Sequence, residues 1–289
     1  MSGHDERACP VCAGRRSRVV YDFTQVAHPT SVPGLVRRCL DCGLWWKVVS
    51  SDDAVVSAYG EPYAELALAG SYLESDATTA FFRKVLSAAH RSAQPRPRLL
   101  DVGAGIGGLV SLAQSMGFDA EGIELNPRLV GIATERGLNV RQARAEDLDV
   151  RGEYQVVTLM DLLEHVSNPL AVLERVRDSL RPGGELIVYT PNHAAAVVLA
   201  AHALASVGLD FAVREIFGRN HVTFFDRKTL RSTLDRAGFE VREMWSFPYD
   251  AQRPGQPMSS GALRAIGVAE WLGSAVGRVF RMVAFATKR

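Results

Sequence analysis

A chain of 289 residues with 47% apolar and 22% charged residues is long enough for one substantial α/β domain with a small appendage. A formal net charge of +1 excludes global electrostatic steering toward nucleic acid or an anionic membrane surface. The polar start, Met-Ser-Gly-His-Asp-Glu-Arg, lacks the apolar core of a secretory signal. The longest apolar stretch, 194–207, contains His202 and falls short of the ~20 residues of a membrane span, so it reads as a buried or lid helix. A reducing, cytoplasmic setting is the expectation.

All four cysteines lie within the first 42 residues, as Cys9-Pro-Val-Cys12 and Cys39-Leu-Asp-Cys42-Gly43. Each C-x-x-C turn offers two thiolates on one tight bend, and a hairpin-length insert between two such turns matches a zinc ribbon. Gly43 supplies the permissive backbone that such a turn uses. Disulfides and an unrelated redox pair are the alternatives, and a reducing compartment disfavours the first. Four thiolate ligands leave a zinc ion no open position, so its role would be structural. No cysteine remains elsewhere in the chain to act as a nucleophile. Through Lys47 this segment carries seven Lys/Arg against four Asp/Glu, a solvated basic face or a surface that touches RNA.

Residues 50–91 read as helical and rich in aromatics (Tyr59, Tyr63, Tyr72, Phe81, Phe82). Such helices can cover the carboxyl edge of a following sheet, where α/β folds bind ligands. A short stiff linker with Pro95 and Pro97 leads into strand 98–102. That strand ends in the glycine-rich turn Gly103-Ala-Gly105-Ile-Gly-Gly108 and opens into helix 107–117, a unit whose backbone can approach a ligand closely. The literal G-x-G-x-x-G spacing also fits a dinucleotide site, so the glycines alone leave an NAD-dependent oxidoreductase open.

Strand 119–124, helix 127–136, strand 139–142, strand 154–159, helix 169–180 and strand 185–190 follow. This alternation predicts a Rossmann-like, doubly wound, mostly parallel sheet. Helix 227–237, strand 239–247 and a nearly all-apolar strand 278–287 suggest a terminal antiparallel pair, with a helix near 262–272 in the insert between them. The expected organisation is a ribbon over 1–48, a helical cap and linker over 49–97, and a core over 98–289 with lid insertions at about 192–220 and 249–277.

Three acids close three successive strands. Asp101 precedes the glycine turn, Glu124 ends the second strand where a carboxylate meets a ribose diol, and Glu146-Asp147 follows the third, where an acid accepts from an adenine amino group. Together with Gly122-Ile-Glu-Leu-Asn-Pro127, Leu163-Glu-His-Val166 and Leu180-Arg-Pro-Gly-Gly184, these motifs resemble a class I S-adenosylmethionine (SAM)-dependent methyltransferase over roughly residues 99–241. The resemblance implies that Asp101, Gly103, Ala104 and Gly105 line the amino-acid end of SAM. It implies that Glu124 holds the ribose, Leu125 packs on the adenine, Glu146 and Asp147 meet its amino group, and Met160 borders the site.

After the fourth strand, Asp161, Glu164 and His165 are spaced to surround one point, with His221 as a distant fourth member. The pattern is similar to the E-x-x-E-H arrangement of ubiquinone-type O-methyltransferases, which implies a divalent ion such as Mg there, although Asp161 is one carbon short of that pattern. His165 and His221 are candidate bases for a hydroxyl nucleophile, and His193 borders the pocket. The leading expectation is methyl transfer to a small molecule, oxygen before nitrogen, in secondary or specialised metabolism. An RNA methyltransferase docking through the ribbon is the alternative. Against it, Met160-Asp-Leu-Leu carries no N-P-P-Y-like motif, so nucleic acid is not the expected partner. A ribbon-bearing scaffold without activity would be expected to lose the cofactor acids.

Overall fold

The computed structural model describes residues 8–25, 31–69, 76–89, 96–247, 260–275 and 277–289. Tyr72, His4, His28, His90 and the first part of the 249–277 insertion therefore lie outside the described residues.

The N-terminal segment forms an antiparallel hairpin sheet of β1 (Ser17–Asp22), β2 (Leu35–Cys39) and β3 (Trp45–Val48), with Ser17 opposite Cys39 and Leu35 opposite Val48. The two cysteine turns sit side by side at its end, and Gly43 takes a left-handed φ of 87°, as the second turn requires. Three helices follow: α1 (Asp52–Ser57), capped by the Ser51 hydroxyl, α2 (Glu61–Ala69) and α3 (Asp76–Ala89).

The core alternates as its pattern predicts. β4 (Arg98–Val102), α4 (Gly108–Ser115), β5 (Asp119–Glu124), α5 (Pro127–Glu135) and β6 (Val140–Gln142) form its first half. β7 (Tyr154–Met160), α6 (Pro169–Ser179) and β8 (Leu180–Pro191) continue it. Then come α7 (Ala196–Ser206), α8 (Phe211–Phe217), β9 (Thr223–Phe224), α9 (Arg227–Arg236), β10 (Phe239–Phe247), α10 (Ser260–Ser274) and β11 (Arg281–Lys288). The main sheet has the order β10-β11-β8-β7-β4-β5-β6, parallel from β8 to β6 and antiparallel at the β8–β11 and β11–β10 junctions. The class expected from the sequence is thus the fold observed. Residues 281–286 are all buried, because β11 lies inside the sheet with helices on both faces, hence its near-absence of polar alternation.

Two boundaries move for physical reasons. β8 begins at Leu180, which still pairs with Tyr154; the chain then loops out at Gly183 (φ 71°) and rejoins at Glu185 opposite Val156. β11 begins at Arg281 because Arg278 is engaged elsewhere, its amide donating to Gly273 and its carbonyl accepting from Ala196.

The ribbon is built into the core. β9 adds to β3 as a fourth strand, Trp45 opposite Phe224 and Trp46 opposite Thr223. Cys9, Val11, Cys39, Leu44 and Trp46 share one apolar cluster with Leu100, Leu163, Leu173 and Phe225. The two helices of segment 192–220 pack on the ribbon sheet, where Val198, Ala201, Val213 and Phe217 bury Phe23 and Val36. Among the described residues no helix is long and apolar enough to cross a membrane.

One packing contact links the core to the glycine turn. A Cβ on Gly122 would come 2.6 Å from the Ala104 Cβ and 3.2 Å from Val110 Cγ2, so the second strand and the turn touch with no room for a methyl group. Gly122→Ala is therefore expected to cost about 1–3 kcal/mol in denaturant unfolding, as overpacking does; an unchanged midpoint would show that the turn yields freely.

Candidate active site

The glycine turn is shaped by three different demands. Gly103 (φ 82°) bends the chain so that its amide and that of Ala104 both donate to the Ile123 carbonyl. A Cβ on Gly107 (φ 79°) would come 2.5 Å from Leu138 Cδ1. Gly105 (φ 53°) has nothing within 4 Å of where its Cβ would stand, so its bare backbone faces open space at the carboxyl edge of the sheet.

The acids stand around that space. Asp101 is buried and accepts from the Thr158 hydroxyl at 2.7 Å; burial pushes its pKa up to about 7, against the lowering effect of that bond. Glu124 is also buried and raised by burial, partly offset by backbone amides: Oε2 accepts from Gly105 at 2.9 Å and Oε1 from Asn126 at 2.8 Å. Asn126 then donates through Nδ2 to the carbonyls of Tyr59 (2.7 Å) and Gly60 (3.2 Å), which brings the α1–α2 turn over this edge. Leu125 follows, with its carbonyl accepting from Gln142 Nε2 at 3.3 Å. Glu146 and Asp147 lie in a 3-10 turn, Ala145–Asp147, after β6, with Glu146 3.7 Å from the Arg144 guanidinium. Met160 closes β7, half-buried against the core.

Beyond Met160 the chain turns sharply at Asp161, a non-glycine residue at φ 50°. Its carboxylate forms a buried ion pair with Arg281 of β11, whose guanidinium lies 5.1 Å over the Tyr189 ring. The next turn, Leu163–His165, buries Glu164 almost completely: Oε2 accepts from the Thr190 hydroxyl at 2.8 Å, while Oε1 has no hydrogen-bond partner and lies 3.9 Å from His165 Nε2. His165 Nδ1 lies 3.3 Å from the Asn220 carbonyl, and its ring meets His221 edge-on at 4.7 Å and Tyr59 edge-on at 5.4 Å. His193 borders the group, its ring 6.3 Å from that of His221.

Glu164, His165 and His221 are therefore brought together, each offering an atom within 4.8 Å of the others, whereas Asp161 is drawn away to Arg281. Burial and the neighbouring Asp161 hold the Glu164 carboxyl well above its ordinary range, toward its neutral form. Burial lowers His165 to about 4 and His221 well below the ordinary imidazole range. Both shifts oppose an ion pair between Glu164 and His165; near neutral pH the imidazoles are uncharged, each with a ring nitrogen lone pair able to accept a hydrogen bond. Two imidazoles and one carboxylate, with Asp161 committed elsewhere, fit the oxygen-loving Mg ion poorly.

The cysteines fit zinc. Cys9 and Cys42 Sγ are 3.6 Å apart, Cys12 and Cys39 Sγ 3.5 Å apart, and all four lie within 4.8 Å of one another. A tetrahedral ion with Zn–S of about 2.3 Å separates its sulfurs by about 3.8 Å, and a disulfide would need about 2.05 Å. Hydrogen bonding from the other thiols, Cys9 first, pulls the Cys42 pKa down to about 5, so a thiolate is already favoured in the cluster.

A seven-stranded sheet with a reversed terminal pair, a glycine turn and an acid at the end of each of its first strands defines a class I SAM-dependent methyltransferase. The methyltransferase-domain family matches residues 73–244, and the chain belongs to that family. It is 34% identical over 183 residues to a ubiquinone biosynthesis O-methyltransferase of Xanthomonas campestris pv. campestris, covering 60% of this chain and 74% of that one. A relative of the same description in Xanthomonas axonopodis pv. citri is 34% identical over 174 residues, 56% of this chain and 71% of that one. A SAM-dependent methyltransferase structure from Archaeoglobus fulgidus shares the fold at TM-score 0.54 and 18% identity, covering 78% of this chain and 99% of that one. A second from Thermotoga maritima does so at 0.51 and 19%, covering 79% and 95%. SAM is the cofactor of this fold, which sets the oxidoreductase reading aside.

Arg281 pairs with Asp161 and Thr190 donates to Glu164, contacts that sequence reasoning left unassigned. Arg281 had a signal, a cation within the otherwise apolar run 279–286; Thr190, one more buried residue at a strand end, had none.

Proposed function

We propose that this enzyme transfers the methyl group of SAM to a hydroxyl oxygen of a small molecule, with nitrogen the second choice, in specialised metabolism. The observation that carries the reading is the pair of buried, uncharged imidazoles, His165 and His221, beside Glu164 at the carboxyl end of β7. A sulfonium is already a strong electrophile, so the protein has to align the nucleophile, exclude water and remove one proton. A neutral imidazole within reach of a hydroxyl does the last of these. In this reading Asp101, Gly103, Ala104 and Gly105 receive the amino-acid end of SAM, Glu124 its ribose, and Leu125, Glu146 and Asp147 its adenine, with Met160 bordering the methyl. Zinc held by Cys9, Cys12, Cys39 and Cys42 keeps the ribbon folded against the core. The reading is supported by the activity of the ubiquinone biosynthesis O-methyltransferases to which the chain is similar.

With SAM saturating, His221→Ala is expected to lower kcat about 100-fold while leaving S-adenosylhomocysteine affinity within about threefold. The pH profile gives the sign. The base works when neutral, and both imidazole pKa values are lowered, His165 to about 4 and His221 well below the ordinary range, so the neutral fraction stays near one as pH falls through 6.5. kcat should therefore hold between pH 8 and about 5.5, where an ordinary histidine would already have lost most of its activity. Half-loss near 6.5, or loss of cofactor binding in His221→Ala, would remove the imidazoles from the base role.

A further inference from the structure

The ribbon sends one side chain toward the transfer site. Lys47 lies on β3 and is only 3% exposed, a rare position for a lysine without a counter-charge. Its Nζ donates to the Arg219 carbonyl at 2.6 Å, and among the described residues it forms no ion pair with a carboxylate. Its position is fixed from several sides. The main-chain amide donates to the Val222 carbonyl at 2.7 Å, and Val222 in turn donates to the Glu164 carbonyl at 2.8 Å. A Cβ on Gly34 would stand 2.1 Å from the Val48 carbonyl oxygen and 2.9 Å from Lys47 Cγ, so glycine there lets the two strands lie close, with the lysine stem against the bare backbone.

The ammonium is tied to the backbone segment that also holds His165. Arg219, which accepts from Lys47, is followed by Asn220, whose carbonyl lies against His165 Nδ1. The lysine charge is close enough to disfavour protonation of both His165 and His221. Burial alone pulls its own pKa down to about 7, with no neighbouring acid to restore it.

The other charges of this region are already balanced. Asp161 is paired with Arg281, Glu164 is held toward its neutral form, and the imidazoles are uncharged. Among the described residues Lys47 is left as a buried cation of this region with no carboxylate partner, and burying an unpaired ammonium is costly where methionine would fill the same volume. A charge that belongs to the ligand resolves this.

We propose that Lys47 is a specificity-determining residue supplied by the ribbon, and that it selects a methyl acceptor carrying a single carboxylate. One unbalanced cation matches a monoanion; a phosphate would bring a second negative charge that nothing here meets. The inference rests on the small-molecule reading above and names its substrate class. It also gives the ribbon a task at the site, since the strand beside the zinc turns carries the residue that reads the acceptor.

The test compares 3,4-dihydroxybenzoate with its uncharged counterpart 3,4-dihydroxybenzamide, titrated calorimetrically into the full zinc-loaded chain saturated with S-adenosylhomocysteine. The expected result is binding of the carboxylate at least about tenfold tighter than the amide, the range of a hydrogen bond to a charged group. Lys47→Met and Lys47→Gln should each reduce that ratio to near one with S-adenosylhomocysteine affinity unchanged, and Lys47→Arg should keep part of it. Equal affinities in the unmodified protein, binding of neither compound, or a preference that survives in Lys47→Met or Lys47→Gln would overturn the proposal. The ratio is read without turnover, whereas failure of the hydroxyl-acceptor reading shows as absence of O-methyl product, so the two failures are distinct.

Discussion

Glu124→Gln is expected to weaken S-adenosylhomocysteine binding by about 100-fold or more, the largest cofactor effect of any single substitution in this chain. Two losses combine. A carboxylate that can meet both ribose hydroxyls becomes an amide with one acceptor, forfeiting charge-assisted bonds of about 1.5–3 kcal/mol. The same carboxylate shapes the empty site, since its two oxygens accept from the Gly105 and Asn126 amides. An amide group can satisfy only one of them, so the turn is left with an unpaired buried N–H worth about 1–3 kcal/mol. Calorimetric titration measures the first effect and denaturant unfolding the second. An affinity within threefold of the unmodified protein would show that the ribose acid has been placed wrongly.

Cys39→Ser should be the most damaging change in the ribbon. Cys39 is 1% exposed and lies in the apolar cluster that joins the ribbon to the main sheet. Loss of one thiolate from a four-sulfur site removes most zinc affinity, and with it the folding free energy that the ion supplies. Because Trp46 and Leu44 pack in that cluster, and β9 completes the ribbon sheet, the damage is not confined to an appendage. A loss of about 3–5 kcal/mol corresponds to a fall in Tm of about 10 °C for a chain of this size. Turnover should fall with it, since the Lys47 amide of β3 holds the carbonyl of Val222, the residue next to His221. Zinc content by elemental analysis and Tm by calorimetry check the prediction. Full stability at zero zinc would mean that the cysteines act in another way.

What the sequence revealed and what it hid divide along chain distance. The glycine turn, the three strand-end acids and the paired C-x-x-C turns are local patterns, each compressed into a few residues whose spacing encodes a backbone geometry. They were legible for that reason, as was the alternation that fixes the parallel sheet. The ion pair of Asp161 with Arg281 joins residues 120 positions apart, and the contact of Lys47 with Arg219 joins residues 172 apart. The first depends on β11 inserting between β8 and β10, the second on β9 adding to the ribbon, and no local pattern announces either event. The grouping of Asp161, Glu164, His165 and His221 at the transfer site meets the same limit. Asp161 has the right spacing to join Glu164 and His165, but a buried arginine on a distant strand claims its carboxylate. The joining of the ribbon sheet to the core through the two-residue strand β9 is likewise a long-range event.

The most direct test of methyl transfer to a small-molecule oxygen is the fate of the methyl carbon itself. The full zinc-loaded chain, incubated with SAM carrying a 13C methyl group and a panel of hydroxylated aromatic acids, amines and bulk RNA, is followed by carbon NMR. The account predicts label in O-methyl ethers of small hydroxylated acids, sharply reduced in His221→Ala. Label found only in N-methyl groups or in RNA would contradict it.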